Sequence, residues 1–220
     1  IMDRINNNEK FSLYYNFLVQ ENEKYNLTNI TEKEEAYIKH FYDSIQLEQV
    51  IDFNNIKTLC DVGSGAGFPS IPLKIIYPHL HITIIEPTLK RCNFLNQLVE
   101  LLQLDNVTII NDRAENMTSL REKFDTVTAR AVASMPILLE LCVPLTKVNG
   151  YFISLKGSSF HEEMMKSSNA IKVLNIKVEN IYEYELLHNY GKHSIITFDK
   201  QTKTNPKYPR KYSIIKNKPL

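Results

Sequence analysis

The spacing of apolar residues changes once along the chain, near Lys57. Before that point it is helical: Phe11, Tyr14, Tyr15, Leu18 and Tyr25 predict one amphipathic helix, and Tyr37, Ile38, Phe41, Ile45 and Leu47 predict a second. Thr31-Glu-Lys-Glu34 has the form of a capping box opening that second helix. The Asn54–Asn55 pair marks a break before the next element.

Beyond Lys57, short apolar runs alternate with longer amphipathic ones. Strands are predicted at Thr58–Val62, Leu80–Glu86, Val107–Ile110, Phe124–Ala129 and Tyr151–Leu155. Helices are predicted at Pro69–Tyr77, Thr88–Gln103, Pro136–Leu145 and Ser158–Val173, and Val178–Leu187 with Ser194–Phe198 reads as a closing hairpin. Alternation of this kind implies an α/β fold with a mostly parallel sheet and helices on both faces, and the apolar strands fit burial on both sides.

Composition narrows the class. In 220 residues, 43% are hydrophobic and 23% charged, as in an ordinary globular protein, which excludes wholesale disorder. No apolar run approaches a membrane span, and the first residues lack a signal-peptide layout. Cys60, Cys92 and Cys142 are odd in number, widely spaced and outside any Cys-x-x-Cys pair, so a reducing cytoplasmic location is expected. Lys and Arg total 26 against 25 Asp and Glu, a net charge of +1 that is unevenly distributed. Residues 1–55, a helical extension, hold five basic and ten acidic side chains, and the core over 56–199 holds 14 and 15. The tail, 200–220, holds seven basic residues and no acidic ones, a pattern shared by an ordinary solvated end, the more frequent case on composition alone, and a polyanion-binding edge.

Asp61-Val-Gly63-Ser-Gly65-Ala-Gly67-Phe68-Pro69 lies between a predicted strand and a predicted helix, where open α/β sheets bind nucleotide-like ligands. Pro69 at the first helical position and Pro72 near the fourth would both fall where N–H groups have no helical partner. The spacing is G-x-G-x-G, and Phe68 stands where a dinucleotide site would keep a third glycine for close helix packing. This disfavours NAD and favours S-adenosylmethionine, which has no pyrophosphate. Glu86 ends the second strand and offers acceptors for both ribose hydroxyls. Asp112-Arg-Ala-Glu115 follows the third strand at the same sheet edge, where an adenine would lie.

At these residues the chain resembles the small-subunit ribosomal RNA methyltransferase G family, formerly called glucose-inhibited division protein B. The matching text is DVGSGAGFPSIPL at 61–73, DRAE at 112–115, FDTVTARAVA at 124–133, YPR at 208–210, and YNLTNI and HFYDSI at 25–30 and 40–45. Ser70, where the family often has Gly, and Glu86 are the departures. The resemblance covers nearly the whole chain. It implies a seven-stranded Rossmann-like methyltransferase with a helical N-terminal extension, which uses S-adenosylmethionine to form 7-methylguanosine in 16S ribosomal RNA. Carried over by position, it implies cofactor contacts from Gly63, Phe68, Ala114, Glu115 and Arg130. The glycine turn itself adds Gly65 and Gly67, and the second strand adds Glu86.

The segment after the fourth strand, Thr128-Ala-Arg130-Ala-Val-Ala-Ser134, contains no Asn/Asp-Pro-Pro-aromatic stretch and no cysteine. That absence suits guanine N7, whose lone pair is free and which loses no proton on methylation, so no catalytic residue is expected beyond substrate positioning, with Arg130 the candidate. Arg130 is expected to meet a phosphate, the cofactor carboxylate or Glu115, or else to form a structural ion pair. His40 and Asp43, three apart, have two readings, as residues lining a catalytic face or, preferred, as an i, i+3 helix pair fixing the extension. The other histidines show no metal-ligand spacing, and no metal is expected.

RNA contact is expected from the tail, chiefly Lys207, Arg210 and Lys211, with Tyr208 and Tyr212 available to stack on bases and Lys123, Lys147 and Lys156 as extensions of the patch. The expected partner is 16S ribosomal RNA, free or in a 30S subunit or assembly intermediate; a monomer is expected, with no membrane partner. Two other readings stand beside this one: a Rossmann-type NAD-dependent oxidoreductase, and a non-catalytic RNA-binding module of the same fold.

Overall fold

A computed structural model describes residues 1–220. The chain opens with helices α1 (Met2–Asn6) and α2 (Glu9–Tyr25). A second helical stretch follows: α3 (Lys33–Ala36), a π-helical turn (Tyr37–Tyr42) and α4 (Asp43–Ile45). The expected capping box does not form, because Glu32 occupies the N-cap without a side-chain bond and Thr31 lies outside the helix.

The αβ alternation then runs β1 (Thr58–Val62), α5 (Ser70–Ile76), β2 (His81–Ile85), α6 (Leu89–Leu101), β3 (Val107–Ile110), β4 (Phe124–Arg130), α7 (Met135–Cys142) and β5 (Thr146–Gly157). The stretch read as one helix over 158–173 is broken at Ser167 into α8 (Phe160–Lys166) and α9 (Ser168–Val173). The hairpin of β6 (Ile176–Glu185) and β7 (Lys192–Lys200) precedes α10 (Tyr212–Asn217). The seven strands form one sheet in the order β3-β2-β1-β4-β5-β7-β6, in which β7 runs antiparallel to both neighbours. Strand order reverses between β1 and β4, so the crevice beyond their carboxyl ends is the natural binding edge.

Alternate residues along each strand enter two apolar cores. Leu59, Ile82, Ile84, Ile153 and Ile195 face one; Cys60, Val62, Val127, Phe152 and Ile196 face the other. The first core is continuous with Phe11, Tyr14, Leu18, Phe41 and Leu47, so the N-terminal helices share the sheet's own core. No helix is long and apolar enough to cross a membrane.

The basic C-terminal stretch is built into the fold. Ile215 is fully buried and Tyr208 nearly so, both in the second core, which removes Tyr208 as a platform for RNA bases. Arg121 donates to the carbonyls of Thr204, Asn205 and Tyr208. Arg210 meets the wholly buried Glu140 of α7 through Nε (2.8 Å) and Nη2 (2.7 Å), and its own backbone N–H adds a third bond. Lys200, also buried, pairs with Glu122 at 3.1 Å and donates to the carbonyls of Val143 and Thr146. Two of the seven cations counted as free for RNA are therefore structural, and Arg210 is corrected from an RNA contact to a clamp. Lys207 and Lys211 remain exposed.

Breaking a buried pair leaves an uncompensated charge and costs about 3–5 kcal/mol. Arg210→Ala is expected to lower the midpoint of thermal unfolding by roughly 6–20 °C in a chain of this size. Calorimetry checks this, and an unchanged midpoint would show that the clamp does not hold the C-terminal segment.

Candidate active site

The turn after β1 is internally bonded almost throughout. Gly63 N–H bonds the Ile85 carbonyl (2.8 Å), Gly65 N–H bonds Glu86 Oε2 (3.1 Å), and the N–H groups of Gly67 and Phe68 both bond the Ser64 carbonyl (3.0 Å each). Asp61 Oδ2 accepts from Ser70 N (3.2 Å) at the start of α5. Pro69 therefore occupies the N-cap, one position before the expected first helical residue, and Pro72 moves to the third. Both still fall outside the regular helical ladder.

Gly63 and Gly67 have positive φ (+71° and +105°) and also lack room for a side chain. A Cβ at Gly63 would stand 2.7 Å from Val132 Cγ2, and one at Gly67 would stand 2.5 Å from the Tyr14 hydroxyl. Tyr14 and His40 stack nearly parallel to Phe68, at 5.3 and 4.4 Å between ring centroids, and the Arg130 guanidinium lies 5.0 Å from the Phe68 ring. Phe68 is buried, so its side chain packs the N-terminal helices onto the glycine turn instead of facing a ligand.

Two cavities open at this edge. The first, about 230 Å3, is lined by Val62, Gly63, Ile85, Glu86, Pro87, Arg91, Arg113, Ala114, Glu115, Leu141 and Tyr212, and the segment Ala131–Ala133 closes one side. The second, about 560 Å3, lies across that same segment and is lined by Ile30, Lys39, His40, Asp43, Arg130, Leu155, Lys156, Glu163 and His193. The partition is braced from behind. Lys156 Nζ holds the Ala133 carbonyl and Glu163 Oε2 (2.7 Å each), and Glu163 Oε2 accepts from Met135 N. Ala131 takes a left-handed backbone conformation (φ +54°), a strained one for a residue with a Cβ.

Arg130 ends β4 and forms an ion pair with Asp43 (3.1 Å), so the structural-pair reading describes it; Glu115 pairs instead with Arg113 (2.8 Å). Asp43 is almost wholly buried and also accepts from Tyr184 (2.5 Å) and His193 Nδ1 (2.9 Å). Although burial opposes its charge most strongly, these partners hold its carboxyl below the usual range. His40 bonds Thr28 Oγ1 rather than Asp43. Burial and then Arg130 push its imidazole down to about 3, so it is neutral when stacked on Phe68.

Gly63, Glu86, Ala114 and Glu115, expected at the cofactor, line the first cavity; Arg130 lines the second, and Gly65, Gly67 and Phe68 build the turn beneath. Lys156 is buried in the brace, and Lys147 pairs with Asp125 beside the amino end of β1, away from both cavities. The reading missed Asp61, Val132, His193 and the cavity-facing position of Tyr212, and gave Lys156 to RNA rather than to the brace. Only Asp61 carried a local signal, as the acid closing the strand before the turn. The three thiols are buried, and burial raises all of them. No group of three or more His, Cys, Asp or Glu is placed to hold a metal ion.

The residues fit S-adenosylmethionine better than a dinucleotide. A pyrophosphate needs free N–H groups, and those of Gly63, Gly65, Gly67 and Phe68 are all taken within the protein. Two carboxylates, Asp61 and Glu86, also flank the turn. Each Glu86 oxygen accepts one backbone N–H, from Gly65 or Thr88, and keeps a lone pair for a ribose hydroxyl. Asp61 Oδ1 is buried without a partner, an acceptor that suits a cationic ligand or an ordered water.

Burial raises Asp61 from 3.8 to about 7. A raised carboxyl stabilises the fold below its unfolded value and loses that contribution as pH rises through its folded value. In the ligand-free protein, Asp61→Asn is expected to gain stability relative to the parent between pH 4 and 7, by at most about 4 kcal/mol, and to hold that gain above. Denaturant titration across that range checks it; a difference independent of pH would contradict a buried, proton-holding Asp61.

Comparison with known proteins agrees with this geometry. The family described as rRNA small subunit methyltransferase G matches residues 7–189. The ribosomal RNA small subunit methyltransferase G of Bacillus subtilis (strain 168) is 50% identical over 206 residues, covering 92% of this chain and 86% of the relative. The protein of that name from Staphylococcus saprophyticus is 50% identical over 214 residues, covering 96% and 90%. Among solved structures, M. jannaschii TYW2 in complex with AdoMet superposes with a TM-score of 0.56 at 17% identity over 72% of this chain and 76% of that one. An rRNA methylase from Streptococcus thermophilus does so with 0.53 at 14%, over 73% and 95%. The distant structures share the fold, while the close relatives match from the N-terminal helices through the closing strands, and on that likeness the chain belongs to the rRNA small subunit methyltransferase G family.

Proposed function

We propose that this protein transfers the methyl group of S-adenosylmethionine to guanine N7 in the 16S RNA of the small ribosomal subunit. The observation that carries the reading is the pair of cavities separated by Ala131–Ala133, one suited to an adenosine and the other open enough for a base. In this reading Glu86 accepts the ribose hydroxyls, Ala114 and Glu115 border the adenine, and Gly63, with no room for a Cβ beside Val132, lines the cavity.

S-adenosylmethionine supplies an electrophilic methyl on a sulfonium. The protein's part is positioning, since N7 carries a free lone pair and sheds no proton. No base is required at the acceptor. His40 is held neutral, stacked and bonded to Thr28, while both oxygens of Asp43 are engaged. Holding N7 in line with the methyl is worth about 7–11 kcal/mol when the geometry is rigid. The brace of Lys156 and Glu163 and the Arg130–Asp43 pair supply rigidity on both sides of the partition.

The exposed Lys207 and Lys211, with Lys203, Lys216 and Lys218, are the remaining C-terminal cations available to phosphates. Their contribution is to RNA affinity and its salt dependence, with Arg210 and Lys200 excluded by their buried partners.

Borohydride–aniline cleavage, which cuts RNA at 7-methylguanosine, tests the assignment. Small-subunit RNA from cells lacking the gene is expected to lose one cut and regain it with the parent gene. Gly63→Ala, which drives a methyl into Val132, is expected to restore less than about 1% of the cleavage, in line with misplacement at a site that works by orientation. A cut that persists without the gene refutes the substrate; full restoration by soluble Gly63→Ala refutes the cofactor placement.

A further inference from the structure

The first cavity has a wall that the methyltransferase core does not supply. Most of its lining comes from the carboxyl ends of β1 and β2, the loop after β3 and the segment after β4, but one side is the ring of Tyr212, from the first turn of α10. Tyr212 packs on the core that holds Ala114 and Leu141, and lines the cavity together with them and Glu115, the residues assigned above to the adenine.

The position of Tyr212 is fixed from two directions. Two residues earlier, Arg210 is anchored on Glu140 of α7, and three residues later Ile215 is fully buried. Across the ring, the Arg113 guanidinium lies 4.3 Å from its centroid, and Arg113 Nε is held in turn by Glu115 Oε1 at 2.8 Å. Glu115, Arg113 and Tyr212 thus form a connected rim spanning the loop after β3 and the C-terminal helix.

The C-terminal stretch reads from sequence as an RNA edge, with Tyr212 a stacking platform for RNA bases. Its observed surroundings direct the ring elsewhere. It is half-buried, covered by Arg113, and lines the cavity rather than the open surface that carries Lys211 and Lys216. An aromatic ring in the wall of a cavity is suited to a heteroaromatic base.

We infer that the C-terminal segment closes the adenine end of the cofactor cavity, with Tyr212 as a cofactor-binding residue held in place by Arg113 and by the Arg210–Glu140 clamp. The inference rests on the cofactor placement proposed above and is independent of which RNA is methylated.

Calorimetric titration of the full chain, without RNA, with S-adenosylhomocysteine and with 5′-methylthioadenosine tests it. The second ligand keeps the adenosine and lacks the amino-acid end. Tyr212→Ala is expected to weaken both ligands about tenfold or more, and Tyr212→Phe to stay within about threefold of the parent, because stacking needs the ring and not the hydroxyl. The unfolding midpoint of each ligand-free variant shows that the fold is kept. Parent-like affinity of folded Tyr212→Ala for both ligands overturns the inference, and so does a loss confined to S-adenosylhomocysteine, which would place the ring at the other end. Gly63→Ala separates the two claims: if it too leaves both affinities unchanged, the cofactor placement fails, whereas if it abolishes binding and Tyr212→Ala does not, only the role of the C-terminal segment fails.

Discussion

The buried carboxylate of Asp43 is the interaction on which the arrangement of the site depends. A charge with so little exposure requires donors around it. Here they come from Arg130 at the end of β4, His193 on β7 and Tyr184 on β6. Asp43 itself belongs to the N-terminal helices, so satisfying one carboxylate fixes those helices against three strands. The same bonds place Arg130 and His193 along the acceptor cavity. Arg130 also helps keep His40 neutral, which allows that ring to lie flat on Phe68 and pin the glycine turn. Removing any one partner of such a buried set is disruptive, because the remaining charge has nowhere else to go.

A second constraint acts on the partition between the cavities. Methyl transfer needs two ligands brought into contact at one point, and a single short segment, Ala131–Ala133, borders both of their cavities. Its left-handed alanine is tolerated because Lys156 and Glu163 hold the following backbone from behind. The cation that sequence reasoning offered to RNA is here spent on rigidity, as a rule of burial dictates: a lysine with its head inside must find carbonyls and a carboxylate.

The fold was legible because its signals are local and repeated. Strands buried on both faces leave apolar runs, and the Asp61–Pro69 turn between strand and helix marks the binding edge without any long-range information. Gly63 and Glu86 could be named for the same reason, since each directly follows the end of a strand, whereas Ala114 and Glu115 came from the family resemblance. What was not legible depends on pairs distant in sequence. Nothing near Arg210 announces Glu140, seventy residues earlier, and nothing near Asp43 announces Tyr184 or His193. Charge counts mislead for that reason, since the seven C-terminal cations include two whose partners lie in the core. The Thr31 capping box failed differently, as a local motif overridden when packing of the second helical stretch set its start at Lys33.

The central claim is that adenosine and acceptor occupy different cavities on either side of one braced segment. A crystal structure of the full chain with S-adenosylhomocysteine tests it most directly. The account predicts the ribose on Glu86, the adenine between Ala114 and Tyr212, and the sulfur at the edge of Ala131–Ala133, facing the cavity of His40, Arg130 and His193, which is left open. Ligand density among His40, Arg130 and His193, with none beside Glu86, would contradict it.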